Sequence, residues 1–445
     1  MAFSGPPLMV LAAKLRSVKM ALRAWSREVF GDIFGSVRVA EDMALNAELS
    51  YDTDPSEDKL VALQKARAHL RRSQGVEHMF WQQKSRVKWL KDGDRNSRYF
   101  HAVVAERHQR SVIHRIKSST GDWLESADDI ESEAESFFKR LFTAESPSAS
   151  FNALDGIPKL LTDQDNDMLD EIPFKEEVKS VIFAMDGGSA TGPDGFSGRF
   201  FTCAWDIVAE DVHAAVVSFF CGEVLPRSIS STSIVLIPKV QSPQDFTQFR
   251  PISLCNFINK VISKVLSDRL AWILPKIISP QQSGFVKGRH ISDNFLLAQE
   301  LISGIRRSNR GGNVVLKLDM AKAYDRISWV FLLQVLRRFG FTERWIDMIW
   351  RLISNVWFSV LVNGSPCGFF QSTRGLRQGD PISPALFVIG AEVLSRLLNS
   401  LVGQRGFLPF KIPSRCPAIT HPAFADDVKI GRDTSELQSR GLISY

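Results

Sequence analysis

The sequence predicts an α+β protein in which a mostly helical region, residues 1–145, precedes a mixed region of helices and strands, residues 146–445. Sequence with helical periodicity and few strand signals extends from Leu11 to Ala144. Beyond it, short alternating apolar runs are interspersed with helical segments, as in an α+β domain. The stretch SPSAS at 146–150 separates the two regions and has the composition of a linker.

Turn signals divide the helical region into shorter elements. SYDTDP at 50–55 predicts a break between two helical stretches, the second of which continues from Glu57 through Trp89. A further turn is predicted at 92–94, before a new helix. The stretch RSVIHRIKSSTGDWLES alternates like a small β-hairpin, with its turn at 120–122.

The mixed region alternates between helical segments and short strand-like runs. The predicted helices are 175–184, 208–221, 257–274, 292–307, 331–339 and 383–401. The predicted strands are SIVLIPKV (233–240), VVLKLDM (314–320), WFSVLVNG (357–364), GFFQST (368–373) and FADDVKI (424–430).

Composition excludes several classes of protein. At 445 residues the chain is too long for one ordinary core, so two or three structural units are expected. The five cysteines form no CxxC pair and no zinc spacing with histidine, which favours a reducing compartment. No signal peptide and no membrane-spanning run are predicted. The expected location is therefore the cytoplasm and/or the nucleus, without secretion.

The formal net charge of +6 is a mild excess that is compatible with a polyanionic partner. The excess is concentrated between Trp81 and Lys117, a stretch that contains ten Lys and Arg residues and three acidic residues. Aromatic residues, including Trp89 and Tyr99, are interleaved with these charges. The pattern has two interpretations that the sequence leaves open: a nucleic-acid surface that combines charge and stacking, or a solvated basic helix.

Two carboxylate motifs point to phosphoryl-type transfer. Asp319 follows the alternating strand VVLKL, and Asp426 and Asp427 follow the apolar residues of FADD. Taken alone, Asp319 is more often a helix N-cap, and an Asp-Asp pair is more often a solvated turn. Together on neighbouring strands, they would hold two Mg²⁺ ions for nucleotidyl transfer to a growing strand.

Seven motifs follow one another in order through residues 190–430: SATGPDGFSGRFF, IVLIPK, FRPISLCN, QSGFVKGRHISDN, KLDMAKAYDRISW, GLRQGDPISPALF and FADD. In order and spacing they resemble the reverse transcriptases of LINE-type (non-LTR) retrotransposons, especially those abundant in plant genomes. The resemblance implies a right-hand polymerase, with fingers and an antiparallel palm sheet in residues 146–445. Residues 1–145 would be the helical region that follows the family's endonuclease domain.

The resemblance implies an RNA-directed DNA polymerase that uses an RNA template, a DNA primer and dNTPs. Its metal ligands would be Asp319, Asp426, Asp427 and the carbonyl of Met320, holding two Mg²⁺ ions, with Mn²⁺ as an alternative. The implied nucleotide-binding residues are Lys239, Arg250, Tyr324, Gln378 and Gly379, and the implied template-binding residues are Lys287 and Arg289.

Tyr324 would lie under the incoming sugar and select against a ribose 2′-hydroxyl. Lys322 and Asp325, by contrast, are expected to be a helix-start charge pattern and a structural polar contact. Asp194, in GPDG, is expected to be a turn residue.

The chain ends 18 residues after Asp427, before the position of the family's primer grip and thumb, so the thumb is expected to be absent. Three interpretations therefore stay open. An active polymerase predicts Mg²⁺-dependent primer extension. A truncated, catalytically inactive nucleic-acid-binding remnant predicts salt-sensitive RNA binding without extension. A structural or splicing-assistant protein predicts preference for one structured RNA.

Overall fold

The computed structural model describes residues 4–85, 97–143, 152–303, 317–403, 420–425 and 427–429. Its contacts divide the chain into two compact units. The first contains Ala12–His114, and the second contains Ser4–Leu11 and the chain from Arg115 onward. The linker predicted at 146–150 lies outside the described residues, so the domain boundary there stays a prediction.

The first unit is helical, as predicted. It contains α1 (Pro7–Val29) from Ala12 onward, together with α2 (Ile33–Thr53), α3 (Glu57–Ser85) and α4 (Ser97–Ser111). Helices α2 and α3 pack along buried small and aliphatic residues, among them Ala40 and Ala66. The predicted break at 50–55 is shorter than expected, because α2 continues to Thr53. The turn predicted at 92–94 lies outside the described residues.

The second unit combines helices and strands. In chain order its first elements are β1 (Ile116–Lys117), β2 (Trp123–Leu124), α5 (Ala127–Phe142), α6 (Asp163–Asp170), α7 (Lys175–Ala184), α8 (Gly198–Cys203), α9 (Trp205–Phe220), α10 (Arg227–Ser230), β3 (Ser231–Pro238) and β4 (Phe249–Cys255). The elements that follow are α11 (Phe257–Ile277), α12 (Ile291–Ser303), β5 (Lys317–Asp319), α13 (Ala323–Arg326), α14 (Trp329–Phe339), α15 (Glu343–Ser354), β6 (Trp357–Val362), β7 (Ser365–Gln371), α16 (Ser383–Ser400), β8 (Ala423–Phe424) and β9 (Asp427–Lys429).

A four-stranded mixed sheet has the order β4-β3-β6-β7, with β3 parallel to β6 and the other pairs antiparallel. One face is buried through Ile234, Phe358 and Phe370, and Phe142 of α5 stacks on Phe358 at 5.0 Å between ring centroids. The sequence did not predict β4, which contains Pro251. Proline is tolerated there because β4 is an edge strand.

Helix α11 lies at the centre of the second unit, in contact with α6, α7, α9 and α16. It is buried on most of its circumference, with Ile258, Val261, Val265 and Leu266 at 1% exposure or less. A helix that is apolar on all sides is stable only when other elements surround it. This packing makes α11 the rigid support for the strands and loops beside it.

A second, three-stranded sheet is antiparallel and has the order β5-β9-β8. The prediction of one strand over 424–430 was wrong: β8 ends at Phe424, and a turn at Ala425 precedes β9. The chain reverses there because Ala425 adopts φ +53°, which an extended strand does not allow. Of the strand predicted at 314–320, β5 contains residues 317–319.

The predicted helices agree with the structure to within a few residues at their ends. Helices α6 and α15 were not predicted. Among the described residues, no helix is both long enough and apolar enough to cross a membrane.

Candidate active site

The register of the three-stranded sheet places two of the predicted carboxylate residues beside each other. Asp319 is the last residue of β5 and pairs with Asp427, the first residue of β9. Directly opposite residues of an antiparallel pair have Cα atoms about 4.5–5.5 Å apart. Asp426, which precedes Asp427 in the sequence, lies outside the described residues.

The turn between β8 and β9 contains an alanine in the left-handed region, with φ +53°. Ala425 is 4% exposed, and its backbone is bonded to the side chain of Gln282, which is 2% exposed. Gln282 Oε1 accepts from Ala425 N–H at 2.8 Å, and Gln282 Nε2 donates to Ala425 O at 3.2 Å. The sequence analysis did not identify Gln282. Its signal in the sequence was its position as the first residue of the motif QSGFVKGRHISDN.

Tyr324 lies on the short helix α13, which begins after Lys322 at φ +54°. Its ring stacks on Phe387 of α16, with 4.6 Å between centroids and 20° between planes. The residue is half-buried, so part of its surface remains open to solvent. The stack restricts the rotation of the ring.

The segment 375–380, which we call the strap, is bonded to α13 on one side and to β4 on the other. Leu376 N–H donates to Tyr324 O at 2.7 Å. The N–H of Ser253 on β4 donates to Gln378 O at 2.8 Å. The structure thus brings the predicted nucleotide-binding residues Tyr324 and Gln378 together.

Gly379 is the exposed residue of the strap and adopts φ +103°, where a side chain would be strained. A Cβ at this position would also lie 3.3 Å from Ser253 O. Glycine therefore keeps the strap close to β4 and leaves its backbone open to a ligand.

Asp325 is buried beneath the strap and accepts a hydrogen bond from Gln378 Nε2 at 2.8 Å. Burial raises the pKa of Asp325 to about 6, although the bond from Gln378 and the charge of Lys322 partly oppose the shift. Burial also lowers the pKa of Lys322. Asp325 is a structural polar contact, as expected, and its partner is a predicted site residue.

Lys239 and Arg250 are exposed residues at the same end of β3 and β4. Lys239 Nζ donates to Thr247 O at 3.2 Å, and Arg250 lies opposite Ile237 in the register. The positive charge of Lys239 partly opposes the raised pKa of Asp325, which burial causes.

The two predicted template-binding residues have different surroundings. Lys287 is exposed, and its Nζ lies 3.7 Å from the ring centroid of Trp272. The guanidinium of Arg289 donates to the carbonyls of Ser279, Gln282 and Ile278 at 2.6, 2.6 and 2.8 Å. These bonds give Arg289 a structural task after the end of α11, and its contact with a template stays a prediction.

Arg377 and Asp380, both in the strap, form a buried ion pair with 6% and 2% of their surfaces exposed. Arg377 Nη2 also donates to Asn259 Oδ1 at 3.0 Å, and Asp380 Oδ1 accepts from the hydroxyl of Ser263. Burial lowers the pKa of Arg377, but the charges and hydrogen bonds of Asp380 and Cys255 together outweigh this effect, so the pKa is raised on balance. The pair ties the strap to α11. The sequence analysis assigned no role to Arg377 or Asp380.

Two other predicted features are placed by their contacts. Asp194 Oδ1 accepts from Phe196 N–H at 3.1 Å, which is the bond of a turn residue. In the basic stretch of the first unit, Lys84 Nζ lies 5.2 Å from the ring centroid of Trp81. Phe100 is fully buried and therefore belongs to the core. Residues 86–96 of that stretch lie outside the described residues, so both interpretations stay open.

Comparison with known proteins gives a consistent result. The family model described as reverse transcriptase (RNA-dependent DNA polymerase) matches residues 237–442. The Transposon TX1 uncharacterized 149 kDa protein of Xenopus laevis is 29% identical over 434 residues, which are 95% of this chain and 32% of that protein.

Two R2 elements extend the comparison. The Pol polyprotein of the R2DM element of Drosophila melanogaster is 28% identical over 253 residues, 55% of this chain and 22% of that protein. The corresponding R2 polyprotein of Nasonia vitripennis is 27% identical over 248 residues, 56% of this chain and 23% of that protein. The chain thus spans roughly a fifth to a third of the length of these relatives. Residues 237–442 thus match the reverse transcriptase family model, and the relatives support the resemblance of the chain to the LINE-type (non-LTR) reverse transcriptases.

Proposed function

We propose that the chain is an RNA-directed DNA polymerase that adds dNTPs to a DNA primer on an RNA template. The observation that carries the proposal is the register of β5 and β9, in which Asp319 lies opposite Asp427. Like charges at adjacent positions repel one another, so a pair of carboxylates is costly unless cations are bound. The strap, which brings Gln378 to Tyr324, supports a nucleotide site in the same unit.

The donor set fits divalent metal ions. Asp319 and Asp427 lie in register, Asp426 is adjacent to Asp427 in the chain, and the carbonyl of Met320 follows Asp319. These are oxygen ligands of the kind that Mg²⁺ prefers, and we propose that they hold two Mg²⁺ ions, for which Mn²⁺ could substitute. These residues would hold the ions, which would supply a lowered pKa for the attacking 3′-hydroxyl and charge stabilisation for the departing pyrophosphate.

For the incoming dNTP we propose contacts with Tyr324, Gln378, Gly379, Lys239 and Arg250. The cations of Lys239 and Arg250 are exposed and suit the triphosphate. We also propose that the ring of Tyr324, which stacks on Phe387, blocks a ribose 2′-hydroxyl. We assign template contacts to Lys287 and Arg289, fingers and palm to residues 146–445, and the location to the cytoplasm and/or the nucleus.

The test is primer extension by residues 1–445 on a DNA-primed RNA template with dNTPs and Mg²⁺. We expect extension that stops on chelation of Mg²⁺ and is absent in Asp426→Asn, because each change removes part of the metal site. An exposed matched control, Asp293→Asn on α12, should extend the primer as the unchanged chain does. Salt-dependent binding of the template without extension would contradict the proposal and favour a binding remnant.

Replacing Tyr324 by valine should weaken the discrimination between dNTPs and rNTPs. The ring that blocks the 2′-hydroxyl is lost, so the ratio of kcat/KM for dNTP and rNTP should fall by about tenfold or more. Steady-state incorporation of a single nucleotide measures the ratio. Tyr324→Phe is the matched control, because it keeps the ring and its stack on Phe387. An unchanged ratio in the valine variant would reject the assignment of Tyr324.

A further inference from the structure

Gln282 makes an unusual set of contacts with the turn that leads into β9. Its Oε1 accepts from the N–H groups of both Ala425 and Gly284, each at 2.8 Å. Its Nε2 donates to Ala425 O at 3.2 Å. One buried side chain therefore satisfies both backbone polar groups of the residue that immediately precedes Asp426 and Asp427.

The turn depends on such a partner for a physical reason. Ala425 adopts φ +53°, a conformation that is strained for a residue with a side chain. Its N–H and C=O are buried, and a buried backbone group without a partner is destabilising. The two hydrogen bonds between Gln282 and Ala425 offset these costs in the observed conformation, and a relaxed turn would lose them.

The backbone around Gln282 is itself paired with β8. Ala423 N–H donates to Gln281 O at 2.9 Å, and Ser283 N–H donates to Ala423 O at 3.0 Å. Asn294 of α12 donates from Nδ2 to Ala423 O at 2.6 Å. The base of the Gln282 side chain is thus fixed to the strand that enters the turn, while the amide at its tip bonds the turn.

Gly284 makes this close approach possible. A Cβ at Gly284 would lie 2.6 Å from Ala425 N and 3.0 Å from Gln282 Oε1, which is too close for either contact to survive. The segment Gln282–Gly284 therefore needs an amide at its first residue and a residue without a side chain at its third.

We propose that Gln282 is a positioning residue that sets the conformation of the turn preceding Asp426 and Asp427, and thereby the placement of these carboxylates for metal. The inference rests on the proposed function, since it assigns these carboxylates to the metal site. Partners outside the ligands of a metal commonly change its affinity or the activity by about 10–100-fold when they are removed.

The experiment compares the unchanged chain with Gln282→Met, which retains the length of the side chain and removes the three hydrogen bonds. In primer extension we expect about a tenfold increase in the Mg²⁺ concentration for half-maximal rate. We also expect kcat to fall by about a hundredfold, as for a misplacement of about an ångström. The KM for dNTP should stay within about twofold, because Gln378 and Tyr324 are untouched. Calorimetric titration of Mn²⁺ into the chain alone should show weaker binding.

Gln371→Met is the matched control, because it makes the same substitution at an exposed amide that donates to Ser354 O at 2.9 Å. It should leave the Mg²⁺ requirement and Mn²⁺ binding unchanged. If Gln282→Met does not fold, Gln282→Glu tests the positioning role by the same measurements. This variant keeps the acceptor for the two N–H groups and loses the donor to Ala425 O.

The outcomes separate the two proposals. A folded Gln282 variant with an unchanged Mg²⁺ requirement and unchanged Mn²⁺ affinity would overturn the positioning role, even if its stability were reduced. An unchanged chain that extends no primer would overturn the proposed function. In that case Mn²⁺ titration still decides about Gln282: weaker binding by the variant supports the inference, and equal binding rejects it.

Discussion

Arg377→Met is expected to lower the free energy of unfolding by about 3–5 kcal/mol. The substitution leaves the carboxylate of Asp380 buried at 2% exposure without its counter-charge, and it removes the bond to Asn259 Oδ1. Breaking a buried ion pair on one side is costly because the remaining charge has lost both water and partner. Equilibrium unfolding in urea, followed by far-ultraviolet circular dichroism, measures the loss.

The double variant Arg377→Met with Asp380→Asn is the informative control. It removes both charges, so the unfolding free energy should recover a substantial part of the loss. The amide can still accept the bond from Ser263 that Asp380 accepts in the unchanged chain. If the single variant loses less than about 1 kcal/mol, the pair does not anchor the strap as its burial indicates.

The second large effect concerns the pH dependence of stability at Asp325. The pKa of this carboxyl is about 6 in the folded chain, above its ordinary value of 3.8. Between about pH 4 and pH 6 the folded state therefore holds a proton that the unfolded chain has released, so stability falls as the pH rises through this range. The contribution of Asp325 to this fall is on the order of 2 kcal/mol.

Asp325→Asn removes the titration. The unfolding free energy of the variant minus that of the unchanged chain should be about 2 kcal/mol larger at pH 7 than at pH 4.5. Urea unfolding of both chains at the two pH values measures this difference of differences. Glu300→Gln, at an exposed carboxyl on α12, should show no such dependence. If the difference in unfolding free energy between Asp325→Asn and the unchanged chain is the same at both pH values, burial does not raise the pKa of Asp325 as described.

The sequence predicted helices and strands correctly where the local pattern of residues agrees with the tertiary packing. Helix α7 was predicted at its observed bounds, because apolar spacing acts within a few residues. The hairpin β1–β2 follows from the turn chemistry of 120–122. By contrast, β4 was missed because Pro251 argues against a strand. The sheet order shows that β4 is an edge strand, and proline is tolerated on an edge strand.

The candidate site divides in the same way. The motifs predicted roles for Asp319, Asp427, Tyr324 and Gln378, because each of these residues lies in a motif with recognisable neighbours. They did not identify Gln282, which is separated from Ala425 by 143 residues and acts only through a contact formed on folding. Nor did they separate Arg289 from Lys287: both are cations of one motif, yet Arg289 is bonded to three carbonyls.

The sequence by itself provided the family resemblance, the order of the motifs and the residue types that could hold metal and nucleotide. These properties depend on spacing along the chain, which is readable without coordinates. Only the tertiary structure decided which of those residues meet, such as Asp319 with Asp427 and Gln378 with Asp325. The physical reason is that sheet register and burial arise from long-range packing, which sets both the neighbours of a side chain and the cost of its charge.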